Sequence, residues 1–298
     1  MTTTGLPRAT ATDLARVGEC LQMLAPRWSV WTLMTLEKTP LRYATIKAQL
    51  PWLGDGQLHP RLHALTDEGL LQRGQLNQRH VTYGLTDRGT SLIDVLEVIA
   101  DWGSTHLEKD SVLDPATGQY ELERIPRAQD AEDTLGLISP RHATPLLWAL
   151  RIRGEASART LASLVMPHSG PTGIYYPLRQ LTDDGLIQRT ARDAPCYQLT
   201  QAGASLAPLY TALSTWAVGK LPTTTGKPHP VWGRQPAAAR RQHAAWATHQ
   251  PRTAASLAPA APAPAPTAEA APAWRPHDLF SHRQPVRPAA PATTGRRR

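Results

Sequence analysis

Residues 65–73 read Leu65-Thr66-Asp67-Glu68-Gly69-Leu70-Leu71-Gln72-Arg73, and they recur as Leu181-Thr182-Asp183-Asp184-Gly185-Leu186-Ile187-Gln188-Arg189. A second match follows each copy. Tyr83-Gly84-Leu85-Thr86-Asp87-Arg88-Gly89-Thr90-Ser91-Leu92 returns as Tyr197-Gln198-Leu199-Thr200-Gln201-Ala202-Gly203-Ala204-Ser205-Leu206. The offset is 116 residues before the intervening segment and 114 after it, so the second copy is two residues shorter there. Variable length between matched apolar stretches marks a hairpin tip. One supersecondary unit is therefore present twice.

Each unit reads as a helix, a two-stranded hairpin and another helix. Leu58, Leu62 and Leu65 stand at i, i+4 and i+7 on one helical face, with Gly69 placed as a C-terminal cap; Ile174, Leu178, Leu181 and Gly185 repeat the pattern. The polar run Gln72 to His80 between apolar ends predicts an exposed ribbon. Thr86 and Thr200 are N-caps for closing helices whose stripes are Leu92, Val95, Leu96, Ile99 and Trp102, and Leu206, Leu209, Leu213 and Trp216. Upstream, Leu21 and Leu24, then Trp28, Trp31, Leu33 and Leu36, predict two helices broken at Pro26, with Pro26 in the first turn of the second. Tyr43, Ile46 and Leu50 mark a short third helix, and residues 50–56 a turn. The fold class is mainly α with small β-ribbons: two tandem winged helix-turn-helix domains followed by a disordered Ala/Pro/Arg-rich tail.

The ordered set Trp28, residues 40–46, Leu50-Pro51, Leu58, Arg61-Leu62, Leu65, Glu68-Gly69-Leu70, Arg73, Tyr83, Leu85-Thr86, Gly89 and Trp102-Gly103 resembles the HxlR-type winged-helix transcriptional regulators, relatives of the MarR and PadR types. The second copy keeps a looser subset, and its Tyr175-Tyr176-Pro177-Leu178 is similar to the PadR regulators. The resemblance implies duplex DNA as partner, no catalysis and no cofactor. It also implies pairing of winged helices through their terminal helices, either as a homodimer or, with two copies in one chain, as an intramolecular pseudo-dimer.

The expected boundaries are domain 1 at 1–110, a linker at 111–132, domain 2 at 133–221 and a tail at 222–298, which lacks any helix or strand period. Eleven basic against two acidic residues give that tail a net +9 and leave residues 1–221 near neutral, at 21 basic against 22 acidic. DNA binding by the domains must then rest on local charge, while the tail is either a non-specific DNA attractant or a solubilising extension. Two cysteines, Cys20 and Cys196, give neither a disulfide framework nor metal-ligand spacing; Cys20 falls on the apolar face of its helix and reads as a buried thiol. No apolar run nears the roughly 18 to 20 residues that span a bilayer. The expectation is a soluble cytoplasmic protein at the nucleoid, with no membrane partner. No nucleophile, paired-carboxylate or phosphate-loop pattern suggests an enzyme, and His59 and His63, at i and i+4, lack a third metal ligand.

In a helix-turn-helix the second helix enters the major groove. Its candidate DNA-facing residues are Gln57, His59, Arg61 and His63, with Arg61 suited to a guanine because its planar fork reaches two acceptors. Arg42 and Lys47 on the preceding helix, and Arg73 and Arg79 on the ribbon, are candidate phosphate contacts. The second copy offers Tyr175, Arg179, Arg189 and Arg192. Its aromatic face leaves a second reading open, that of a protein-interaction module. The candidate pairing surfaces are Leu92, Leu96, Ile99 and Trp102 in one copy and Leu206, Leu209, Leu213 and Trp216 in the other.

Overall fold

The computed structural model describes residues 5–77, 80–113, 118–168, 172–190, 195–220 and 229–233. The first half runs α1 (Arg8–Leu24), α2 (Ser29–Thr35), β1 (Leu41–Arg42), α3 (Tyr43–Gln49), α4 (Asp55–Asp67), β2 (Leu71–Asn77), β3 (His80–Leu85) and α5 (Asp87–His106). Its strands form an antiparallel sheet in the order β1-β3-β2. The repeated sequence builds the joint between α4, the ribbon and α5. Gly69, at φ +70°, ends α4; its N–H reaches the Thr66 carbonyl at 2.9 Å and the Leu70 N–H reaches that of Leu65 at 2.9 Å. This is the Schellman pairing that a left-handed residue permits. Thr86 then works in two directions, accepting the Gly89 N–H at 3.0 Å to cap α5 and donating to the Gly69 carbonyl at 2.7 Å.

The second half runs β4 (Ser111–Leu113), β5 (Tyr120–Leu122), α6 (Arg127–Ile138), α7 (Ala143–Arg153), β6 (Glu155–Ser157), α8 (Ala158–Val165), α9 (Tyr175–Asp183), β7 (Ile187–Thr190), β8 (Cys196–Leu199), α10 (Gln201–Ser205) and α11 (Ala207–Ala217). From α7 onward it repeats the first half's order, with a sheet ordered β6-β8-β7. The joint recurs atom for atom: Gly185 at φ +69°, Leu186 N–H to Leu181 carbonyl at 2.9 Å, Thr200 accepting from Gly203 at 3.1 Å and donating to Gly185 at 2.7 Å. A Cβ on Gly89 would lie 2.1 Å from the Leu70 carbonyl oxygen, and one on Gly203 would lie 2.0 Å from that of Leu186. Backbone cannot yield as a side chain can. Gly89→Ala and Gly203→Ala are each expected to cost about 3 kcal/mol, the upper end of ordinary overpacking, measured by urea unfolding.

Four sequence expectations are revised. Pro26 lies in the turn before α2, because the Ser29 N–H and hydroxyl both bond the Pro26 carbonyl, at 3.2 and 2.7 Å, and the helix starts only at Ser29. The last helix of the second half breaks at Leu206, since Pro208 has no N–H for the Ala204 carbonyl; Arg151 Nη1 donates to that carbonyl instead, at 3.3 Å. The stretch read as a linker, 111–132, carries the β4–β5 hairpin and the first half of α6, which packs along α5. Arg127 holds it there through Glu97 and through Asp101 at 2.8 Å, and Gly103 lets the backbones close, a Cβ there falling 2.5 Å from the Asp130 carbonyl oxygen.

The fourth revision concerns the expected tail at 222–298. His229 to Gly233 are folded, and Trp232 is buried with its indole stacked on Tyr210, centroids 4.1 Å apart and planes 11° off parallel. The Arg151 Nε–H donates to the Trp232 carbonyl at 2.8 Å and the Trp148 indole N–H to that of Val231 at 3.3 Å. Composition hid this anchor because one buried Trp scarcely changes the average of a long Ala/Pro-rich stretch. The rest of that stretch lies outside the described residues.

The two halves share one core. Helix α1 packs on α11, α6 on α5, and α5 on α11. Two tryptophans fasten them reciprocally. The Trp102 indole N–H donates to the Ala202 carbonyl at 3.2 Å and the Ser205 hydroxyl at 2.8 Å; that of Trp216 donates to the Arg88 carbonyl at 3.3 Å and the Ser91 hydroxyl at 3.1 Å. Each of these residues is its counterpart's number plus 114, the repeat offset. The contacts thus have the mutual form of a two-fold interface, made within one chain. Leu92, Leu96, Ile99, Leu206, Leu209 and Leu213 are buried along the same seam and the cores beneath it.

Candidate nucleic-acid interface

The turn between α3 and α4 is tied by its own polar residues. The Tyr43 hydroxyl donates to Asp55 Oδ1 at 2.9 Å, Lys47 donates to the Leu53 carbonyl and stands 3.7 Å from the Asp55 carboxylate, and the Gln57 side-chain oxygen accepts the Gly54 N–H at 3.2 Å. Lys47 and Gln57, read from sequence as DNA contacts, are therefore engaged in holding the turn. Helix α4 runs unbroken through Pro60, with Leu58, Leu62 and Leu65 buried. Opposite that face His59 and His63 are exposed, their rings edge to face at 4.6 Å, and Tyr43 meets His59 at 6.3 Å. Arg42, at the head of α3, and Arg73, on β2 opposite Tyr83, are exposed as well.

Arg61 is placed differently from expectation. It is half-buried on the flank of α4, its Nε without a hydrogen-bond partner, and burial lowers its pKa while the nearby Glu132 of α6 raises it. The helical wheel carries the reason, since at 100° per residue Arg61 lies only about 60° from Leu58 whereas Pro60 and His63 lie well beyond a right angle. Arg79 and Arg192 fall outside the described residues. On the second half's α9, Tyr175 and Tyr176 are 56 % and 77 % exposed, Arg179 pairs with Asp183 at 3.5 Å, and Arg189 is exposed on β7.

Sequence reasoning missed Glu132. Its carboxylate accepts the N–H of Trp28 at 2.5 Å and so fixes that residue at φ +73°, in the left-handed region; burial pushes the Glu132 carboxyl up, opposed by the Trp28 bond and by Arg27. The partner lies on α6, 104 residues away, and nothing local announces it. Cys20 is buried as expected, and desolvation pushes its thiol up to about 11, so little thiolate exists at neutral pH. Among the described residues no group of three or more His, Cys, Asp or Glu is placed to hold a metal ion, and no helix is long and apolar enough to cross a membrane.

Three helices, a short strand and an antiparallel ribbon in the order of residues 29–85, with the second helix of the turn exposed on its outer face, define a winged helix-turn-helix. The profile of the HxlR-like helix-turn-helix family matches residues 23–111. Over 87 residues the chain is 31% identical to YdzF, an uncharacterized HTH-type transcriptional regulator of Bacillus subtilis (strain 168), covering 28% of this chain and 79% of that protein. Over 95 residues it is 28% identical to YvaP, another HTH-type transcriptional regulator of the same organism, covering 31% of this chain and 88% of that one. Among solved structures, the reduced form of the transcriptional regulator YodB from B. subtilis is 26% identical, covering 30% of this chain and 90% of that one with a TM-score of 0.29. Through its first half the chain belongs to the HxlR-like helix-turn-helix family of DNA-binding transcription regulators.

Proposed function

We propose that the chain is a fused pair of winged helices that regulates transcription by occupying an asymmetric duplex-DNA site, chiefly through the first half. The observation that carries this reading is the reciprocal bonding of Trp102 and Trp216. A homodimer makes its two-fold contacts between chains, and here the repeat makes them within one. On this reading the domains are residues 1–110 and 111–221, the second a divergent copy of the first, and the segment to Gly233 closes the second domain. Helix α4 enters the major groove with His59 and His63 at the base edges, while Arg42 and Arg73 bind phosphate on its flanks. Arg61 serves as a positioning residue against Glu132.

Because α4 and α9 present unlike residues, the preferred site is two unlike half-sites about one helical turn, roughly 34 Å, apart. A gel-shift selection from genomic fragments, followed by footprinting, tests this. His63→Ala is expected to cost about 1 kcal/mol on the preferred site and little on scrambled DNA, whereas Arg73→Ala weakens all DNAs and lowers the salt slope by about one unit. Arg61→Ala should not relax sequence choice. A palindromic footprint from a chain that dimerises in solution would remove the fused-pair reading. The exposed Tyr175 and Tyr176, beside an Arg179 already paired with Asp183, favour a second role for α9 as a protein-docking face. Substituting both tyrosines by Ser leaves DNA affinity unchanged in that case.

A further inference from the structure

The corner where one half's helix-turn meets the other half's first helix occurs twice and is built differently each time. In the first half Glu132 of α6 accepts the Trp28 N–H, Arg27 lies 4.5 Å over the Trp28 ring, and Trp31 meets Trp52 edge to face at 5.2 Å. The repeat supplies the counterparts. At an offset of 114 the buried Leu14, Val17, Leu21 and Leu24 of α1 fall on the buried Ala128, Ala131, Leu135 and Ile138 of α6, which sets Gly18 against Glu132. The same offset sets Arg141 against Arg27, His142 against Trp28 and Pro145 against Trp31. The offset has grown to 115 at the first short strand, where Leu41 and Ala156 face the equivalent Tyr83 and Tyr197, and in the turn that follows Pro167 and His168 stand where the first half has Trp52. The cation is kept, while the carboxylate and three indoles are gone.

A cleft of about 570 Å³ stands in their place, and Gly18, Arg141, His142, Pro145 and His168 all line it, with Leu14 and Val165 as apolar wall. Small-molecule sites span roughly 300 to 1,000 Å³. We propose that this cleft binds a small aromatic carboxylate, which supplies the flat ring and the acid that the second half's own sequence lacks. A Cβ built on Gly18 meets nothing within 4 Å, so the place of the missing acid is open. There a carboxylate lies beside Arg141 and at the N-terminus of α7, whose N-cap is His142, as Trp28 is that of α2. The ring lies against Leu14, Pro145 and Val165, where the first half places indoles. Glu19 is the acid among the lining residues, and it favours a monoanion over a dianion.

Isothermal titration of the full chain with indole-3-acetate, and with neutral indole for comparison, tests the assignment without any reference to DNA. Saturable one-to-one binding is expected, with indole and the Arg141→Ala variant each at least about tenfold weaker. The double variant Gly18→Glu, His142→Trp rebuilds the first half's corner inside the second and should abolish binding while melting no lower than the parent. Absence of saturable heat at millimolar indole-3-acetate overturns the proposal, as does equal affinity for indole or undiminished binding by Arg141→Ala. The Arg141→Ala arm stands alone if the double variant does not fold, because Arg141 is exposed.

Discussion

Trp102→Ala is expected to destabilise the protein by about 3 to 5 kcal/mol and to lower the melting of both halves together, in a single calorimetric transition. The side chain is 7 % exposed and sits on the first half's last helix, yet both of its hydrogen bonds end on the second half, at Ala202 and Ser205. Truncation removes the indole from a seam where α5 meets α11 and α6, so neither half keeps its packing. Trp216→Ala should do the same from the other side and cost somewhat more. Arg88 lies 5.0 Å over the Trp216 ring, whereas the residue at Arg88's place in the repeat is Ala202, and Trp102 has His106 beside it instead. A cation over an indole adds about 0.5 to 1 kcal/mol at such partly exposed sites. Two separate transitions, one of them unmoved by the substitution, would show that the halves fold independently and would remove the pseudo-two-fold seam as a structural unit.

Trp232→Ala, and likewise truncation after Leu221, is expected to cost about 3 to 5 kcal/mol, although the residue lies in a stretch whose composition resembles a disordered tail. The loss goes beyond one buried side chain. Tyr210 is fully enclosed beneath the Trp232 ring, and burial raises its phenol; with the ring gone it faces a void. In the chain truncated after Leu221, Arg151, its pKa lowered by desolvation, also loses the main-chain carbonyl of residue 232 as acceptor and keeps only the longer bond to Ala204. Truncation after Gly233 should by contrast leave urea unfolding unchanged. If both truncations unfold alike, the stack on Tyr210 contributes nothing to stability.

The sequence by itself determined the repeat and the joint it encodes. Gly69 with Gly185, Thr86 with Thr200 and Gly89 with Gly203 are local devices, each acting within one turn of chain, so their spacing suffices to read a helix end, a cap and a close approach. The apolar stripes of α4, α5 and α9 were legible for the same reason, since period alone decides which face is buried. Even the flank position of Arg61 follows from the helical wheel.

Tertiary structure decided what depends on residues far apart in the chain. Trp102 and Trp216 read as pairing residues, but which atoms they meet is set by a seam between segments about a hundred residues apart. From Arg127 on, the stretch expected as a linker became a helix packed on α5, where Arg127 finds Glu97 and Asp101 and Gly103 admits the backbone of α6. The left-handed Trp28 gives its N–H to Glu132, which arrives from the other half. Trp232 is ordered only because Tyr210 and Arg151 leave a place for it. Periodicity reports the local geometry of a chain, whereas a long-range carboxylate, a stacking partner or an empty corner beside Gly18 exists only once the two copies have packed.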